Sequence, residues 1–94
     1  MAFFVLHGLD GANGREVRKT TRPSHLAWLD SLGARYRFGS PIFADDGATP
    51  VGSVVVIEAK DLSEAKATYA EDPYMKAKLW ERIQINQLGQ WNPK

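Results

Sequence analysis

Two histidines, one Asp-Pro pair and a Gly-Ser-Pro run are the parts of this sequence with chemistry to offer. His25 stands in "TRPSHLAWLDSLG" (21–33), which reads as the opening of an amphipathic helix, three, four and seven residues before Trp28, Leu29 and Leu32. That spacing puts the imidazole on the apolar stripe. An inward imidazole can be a structural group bound to a backbone carbonyl. Oriented by a carboxylate, it is a general base that works near neutral pH. Asp72, in "EDPY" (71–74), has the same double character. Before a proline it caps a helical turn, and a carboxylate has enough acceptor sites to cap and still orient an imidazole. Arg22, three residues before His25, is either a solvated surface arginine or a bidentate hold on an anionic substrate group. Gly39 permits close backbone approach, Pro41 ends pairing at a sheet edge, and Ser40 offers a ligand its hydroxyl and amide. His7 either assists or simply ends a strand. Two histidines and scattered acids are too few for a metal ligand set, so neither metal nor cofactor is expected.

Composition narrows the setting. Ninety-four residues, 44% of them apolar, make one small domain over 1–94, close to the lower limit for a core that stands alone. A formal net charge of +1 with interspersed signs provides no cationic face for nucleic acid. With no cysteine there is neither a disulfide framework nor a thiolate nucleophile. The opening "MAFFVLHGLD" lacks a basic leader and no apolar run reaches about 18 residues, so no membrane association is expected and the cytoplasm is the expected compartment.

The elements that must position these residues alternate. "AFFVLH" (2–7) is a strand apolar on both sides, hence central. "LDGANGR" (9–15) is a loop, followed by a helix to about Leu32 that Gly33 stops. "ARYRFGSPIF" (34–43) alternates Tyr36 and Phe38 against Arg35 and Arg37, as an edge strand does. "DDGATPVG" (45–52) is a hairpin connection and "SVVVIEA" (53–59) a second two-sided strand. A helix capped by Ser63 without a capping box follows, and "WERIQINQLGQW" (80–91) closes the chain as a one-sided strand. The order βαββαβ predicts an α+β, ferredoxin-like antiparallel sheet in the order 4-1-3-2 with both helices on one face. The bare face then needs a cover, which a second copy supplies as a dimeric α+β barrel. In this topology the start of the first helix ("RPSH", 22–25), the end of strand two ("GSP", 39–41) and the end of the second helix ("EDPY") converge, with His7 close by. His25 and Asp72 are expected to meet there.

Taken together these segments resemble the YCII (YciI-like) family of small dimeric α+β barrel proteins, over nearly the whole chain. "RPSHLAWLDSLG" resembles the family's R-P-x-H-L segment and "FGSPIFADDG" its G-P end of strand two. "GSVVVIEAKDLSEAKA" resembles its third strand and helix, and "EDPYMKAKLWERIQI" its D-P-F/Y segment. Two departures stand out: Ser40 separates Gly39 from Pro41, and Lys78 stands where glycine is common. The resemblance implies a His-Asp pair, His25 with Asp72, acting as general base and orienting carboxylate on a small carbonyl-bearing or phenolic molecule. The implied protein is a homodimeric lyase or isomerase, dehydrochlorinase-like and without a cofactor. A cofactor-free monooxygenase, a ligand-binding module without turnover and a structural dimer with a closed pocket remain as alternatives.

Overall fold

A strand followed by a helix, twice, sets up the fold, and the computed structural model describes it over residues 1–89. β1 is Ala2–Asp10, α1 Gly14–Ser31, β2 Tyr36–Phe43, β3 Pro50–Ala59, α2 Leu62–Ala70, α3 the single turn Pro73–Lys76, and β4 Trp80–Gln87. A short 3₁₀ turn, Gly33–Arg35, joins α1 to β2. The sheet is antiparallel with order β2-β3-β1-β4, the expected 4-1-3-2 arrangement read from the other edge. The expected last strand extends beyond β4, and its final residues, Gln90 and Trp91, lie outside the described residues.

Central placement of β1 and β3 follows from their two-sided apolar character. Phe4, Leu6, Val55 and Ile57 turn toward the helices and are at most 2% exposed. Around them pack Leu29 of α1, Ala65 and Tyr69 of α2, and Tyr74, Leu79 and Trp80. Each fully buried Val, Leu, Ile or Phe side chain among them contributes about 1.5–3 kcal/mol by leaving water. Trp80 lies flat on β1 because residue 8 is glycine; a Cβ there would stand 2.5 Å from the indole. Pro23 sits inside α1 and offers no N–H to the preceding turn, yet the helix continues to Ser31. It ends where expected, with Leu32 as C-cap and Gly33 in the left-handed region at φ +58°.

Three local expectations are corrected. β2 does not keep Tyr36 and Phe38 on one face: a bulge pairs Tyr36 with Ile57 and Phe38 with Val56, so Arg37 is the extra residue. Tyr36 therefore faces the helices, and Phe38 faces away from them, 54% exposed. The cap of α2 is Asp61, whose carboxylate accepts from the Glu64 amide at 2.8 Å, while Glu64 reaches back to the Lys60 amide at 3.0 Å. This reciprocal arrangement resembles a capping box, and Ser63 lies inside the helix. Finally, α1 begins at Gly14. His25 is thus eleven residues in, about 16 Å along the axis, and not at the opening.

Candidate active site

α1 writes the site as a stripe. Arg15, Arg18, Lys19, Arg22, His25, Leu26 and Leu29 recur at three- and four-residue intervals, the spacing that shares one helical face, and all of them line one cavity of about 410 Å³. Tyr36, Gly39 and Pro41 of β2, Ser53 and Val55 of β3, and Tyr74 of α3 contribute the opposite wall. Arg18 ties the helix to the sheet. Its guanidinium donates to both oxygens of Asp10 at 2.7 and 2.9 Å, to the Gly52 carbonyl at 2.6 Å and to the Ser53 hydroxyl at 2.9 Å. The register shift between Leu9 and Asp10 falls where this carboxylate meets α1.

His25 and Asp72 meet, but through the flank of α1 against α3 and not through a helix opening. Nδ1 of His25 lies 2.8 Å from Oδ1 of Asp72, with the histidine side chain 10% and the aspartate side chain 0% exposed. The same Oδ1 accepts the Tyr74 amide at 2.9 Å, so one oxygen both caps α3 and orients the ring. Asp72 Oδ2 is buried without a partner among the described residues. The Tyr74 ring stacks on the imidazole, centroids 4.0 Å apart and planes at 17°, and meets Trp80 edge-on at 6.0 Å. With Nδ1 held by the carboxylate, Nε2 is the nitrogen left for a ligand. Burial raises the Tyr74 phenol above its ordinary 10.0 against the opposing pull of Arg18 and Arg22. Burial, reinforced by Asp30, raises Tyr36 in the same way. Both phenols stay neutral at physiological pH and can donate hydrogen bonds into the cavity.

The other sequence candidates divide. Arg22 lies on the cavity wall one turn before His25. Gly39 and Pro41 line the wall from the middle of β2, not from its end, and the space above Gly39 is taken by the Tyr36 hydroxyl, 2.6 Å from where a Cβ would stand. Ser40 reaches the rim, but its hydroxyl donates to the Pro41 carbonyl at 2.8 Å. His7 is not brought to this site. It pairs with Val54 and Gln84, alternates with the core residues Leu6 and Gly8, and is exposed on the opposite face of the sheet. Sequence reasoning missed Arg15, Arg18, Lys19, Tyr36 and Tyr74. The first three stand at helical spacing behind His25, a signal that appears once α1 is started at Gly14. Among the described residues no three His, Asp or Glu side chains gather as a metal site, and no helix is long and apolar enough to cross a membrane.

A sequence profile of the YCII-related domain matches residues 2–89. The Escherichia coli protein YciI is 33% identical over 89 residues, covering 87% of this chain and 91% of that protein. Among solved structures, 5-chloro-2-hydroxyhydroquinone dehydrochlorinase (TftG) from Burkholderia phenoliruptrix, in complex with 2,5-dihydroxybenzoquinone, superposes with a TM-score of 0.76 at 26% identity, over 96% of this chain and 93% of that one. SnoaB, a cofactor-independent oxygenase from Streptomyces nogalater, superposes with a TM-score of 0.58 over 98% and 94% of the two chains, and at 10% identity the likeness is one of fold alone.

Proposed function

We propose a function from the premise that the chain belongs to the YCII-related family: it is a small-molecule enzyme of lyase or isomerase type in which His25 moves a proton and Asp72 orients it. The observation that carries this reading is the 2.8 Å contact between Nδ1 and a fully buried carboxylate at the wall of an open cavity. A histidine that served only the core would need no cavity beside it. In the proposed step a phenolic or carbonyl-bearing substrate reacts as the tautomer whose leaving-group carbon is saturated, and Nε2 takes from it a hydroxyl or α-carbon proton. The released electron pair forms a new C=O or C=C bond, and a leaving group such as halide departs with its own pair. Asp72 stabilises the imidazolium, which then gives its proton to solvent. The neutral phenols of Tyr74 and Tyr36 are placed to donate to the oxygen on which charge develops. Electrons balance within the substrate, so the step draws on no external oxidant.

A dehydrochlorinase among the similar structures favours elimination over oxygenation, because the oxygenase likeness extends to fold alone. The proposed assembly is a homodimer, formed where the open sheet face carries Val5, Phe38, Ile42 and Val56 away from the helices. The test begins with 5-chloro-2-hydroxyhydroquinone as a trial substrate, followed by a thermal-shift screen of phenolic and carbonyl metabolites. Turnover is expected to release the leaving group without oxygen uptake. His25→Gln is expected to fold and lose it. A fully active His25→Gln, or stoichiometric oxygen consumption, would overturn the proposal.

A further inference from the structure

The stripe that carries His25 is graded. Beyond it lie Leu26 and Leu29; before it lie four cations, and Pro41 pairs with Ser53, whose hydroxyl Arg18 holds at that cationic end. By the helical rise, Arg22 stands about 4.5 Å, Lys19 about 9 Å and Arg15 about 15 Å along the axis from His25. These cations are not equivalent. Arg18 is committed to Asp10, Gly52 and Ser53, and its charge is answered by the Asp10 carboxylate. The side chains of Arg15, Lys19 and Arg22 make no ion pair or hydrogen bond with any described residue. No carboxylate is among the described residues that line the cavity, although α1 carries Glu16 and Asp30 off the stripe. A merely solvated helix surface mixes its signs. Here three like charges share a concave wall, where they repel one another until an anion enters.

From this we infer that the cavity takes an anionic ligand: a small, flat, largely apolar molecule bearing a carboxylate or phosphate group. Arg22, Lys19 and Arg15 hold that group, on the N-terminal side of His25, while the apolar body lies against Leu26, Leu29 and Val55. The inference names the substrate class of the proposed site and so rests on the reading of His25 as its reacting end. The two arginines suit either oxyanion, since each offers a planar fork of donors.

The test uses three ring probes: hydroquinone, a hydroxybenzoate and a hydroxyphenyl phosphate. Each is titrated into the protein by calorimetry and by amide NMR at low and at about 0.5 M salt. At least one charged probe is expected to bind about tenfold or more tighter than hydroquinone, with the advantage shrinking in salt. The better of the two identifies the anionic group. Lys19→Gln combined with Arg22→Gln, both at exposed positions and checked for folding by circular dichroism, is expected to abolish the preference. His25→Ala is expected to keep it, which separates this inference from the catalytic reading: loss of turnover with retained preference supports both. Equal affinity for charged and neutral probes, failure of the charged probes to bind, or a preference that survives the double substitution would overturn it.

Discussion

One of the chain's two histidines lies on each side of the sheet, His25 on the helix that covers one face and His7 on the open face, and the two sides make opposite use of it. On the helix-covered face His25 is held by a buried carboxylate, stacked on Tyr74 and set at the wall of a cavity. On the open face His7 lies exposed between Val54 and Gln84, its side chain without a hydrogen bond or ion pair to any described residue. Residue type is the same in both, so what makes a site is the burial and the oriented partner. The open face has a different use in this account. Its exposed Phe38 and the side chains beside it form the proposed assembly surface.

The largest effect that separates the faces concerns rate. His25→Ala is expected to lower kcat/KM on a substrate by about 10²- to 10⁴-fold, the usual loss for a general base, while His7→Ala stays within about twofold. Steady-state assays of the two variants would erase the distinction if the losses matched. Next comes assembly: Phe38→Asp is expected to weaken the dimer by about 3 kcal/mol or more, because symmetry places the lost apolar contact in both copies. Sedimentation near the monomer mass of 10.5 kDa for wild type at micromolar concentration would remove the open face from the account.

A smaller effect tests the covered face as a core. The Tyr69 hydroxyl reaches the carbonyls of Val55 at 2.7 Å and Phe4 at 3.1 Å, and burial raises its pKa well above 10.0. A raised folded-state pKa means that this contribution is complete below the unfolded value of about 10 and is lost as pH rises beyond it. Tyr69→Phe is therefore expected to cost about 1–2 kcal/mol at neutral pH and to flatten the alkaline loss of stability, as read by urea unfolding at pH 8 and above 10. The smallest effect concerns the turn that follows α3. Lys78 has φ +57°, its amide donates to Met75 and the Leu79 amide to Tyr74, which is the left-handed helix stop that glycine favours. Lys78→Gly is expected to stabilise by up to about 1 kcal/mol.

The order of strands and the meeting of His25 with Asp72 were legible because both follow from apolar patterning and from strand direction. What stayed hidden was local. The bulge at Arg37 leaves no mark in a Tyr-Arg-Phe run whose plain alternation puts Tyr36 beside Phe38. The start of α1 was obscured by "GANGR", whose glycines read as loop although the helix begins within it at Gly14. Starting that helix late kept Arg15, Arg18 and Lys19 off the stripe of His25 and placed the histidine at a helix opening. The Asp10 to Arg18 tie joins residues on two different elements, and helical spacing along α1 alone does not show it.

The central claim is that Asp72 fixes His25 with its proton on Nδ1 and leaves Nε2 available to a substrate. Nitrogen-15 NMR of the histidine side chains reads this directly, with His25→Gln assigning the resonances. At alkaline pH the expected result is a protonated Nδ1 and an unprotonated Nε2 for His25. The Nε2 signal is also expected to move when 2,5-dihydroxybenzoquinone, the ligand bound in the similar dehydrochlorinase structure, is added. In Asp72→Asn the tautomer preference is expected to relax. A proton found on Nε2 in the wild-type protein, or a tautomer unchanged by Asp72→Asn, would contradict the account.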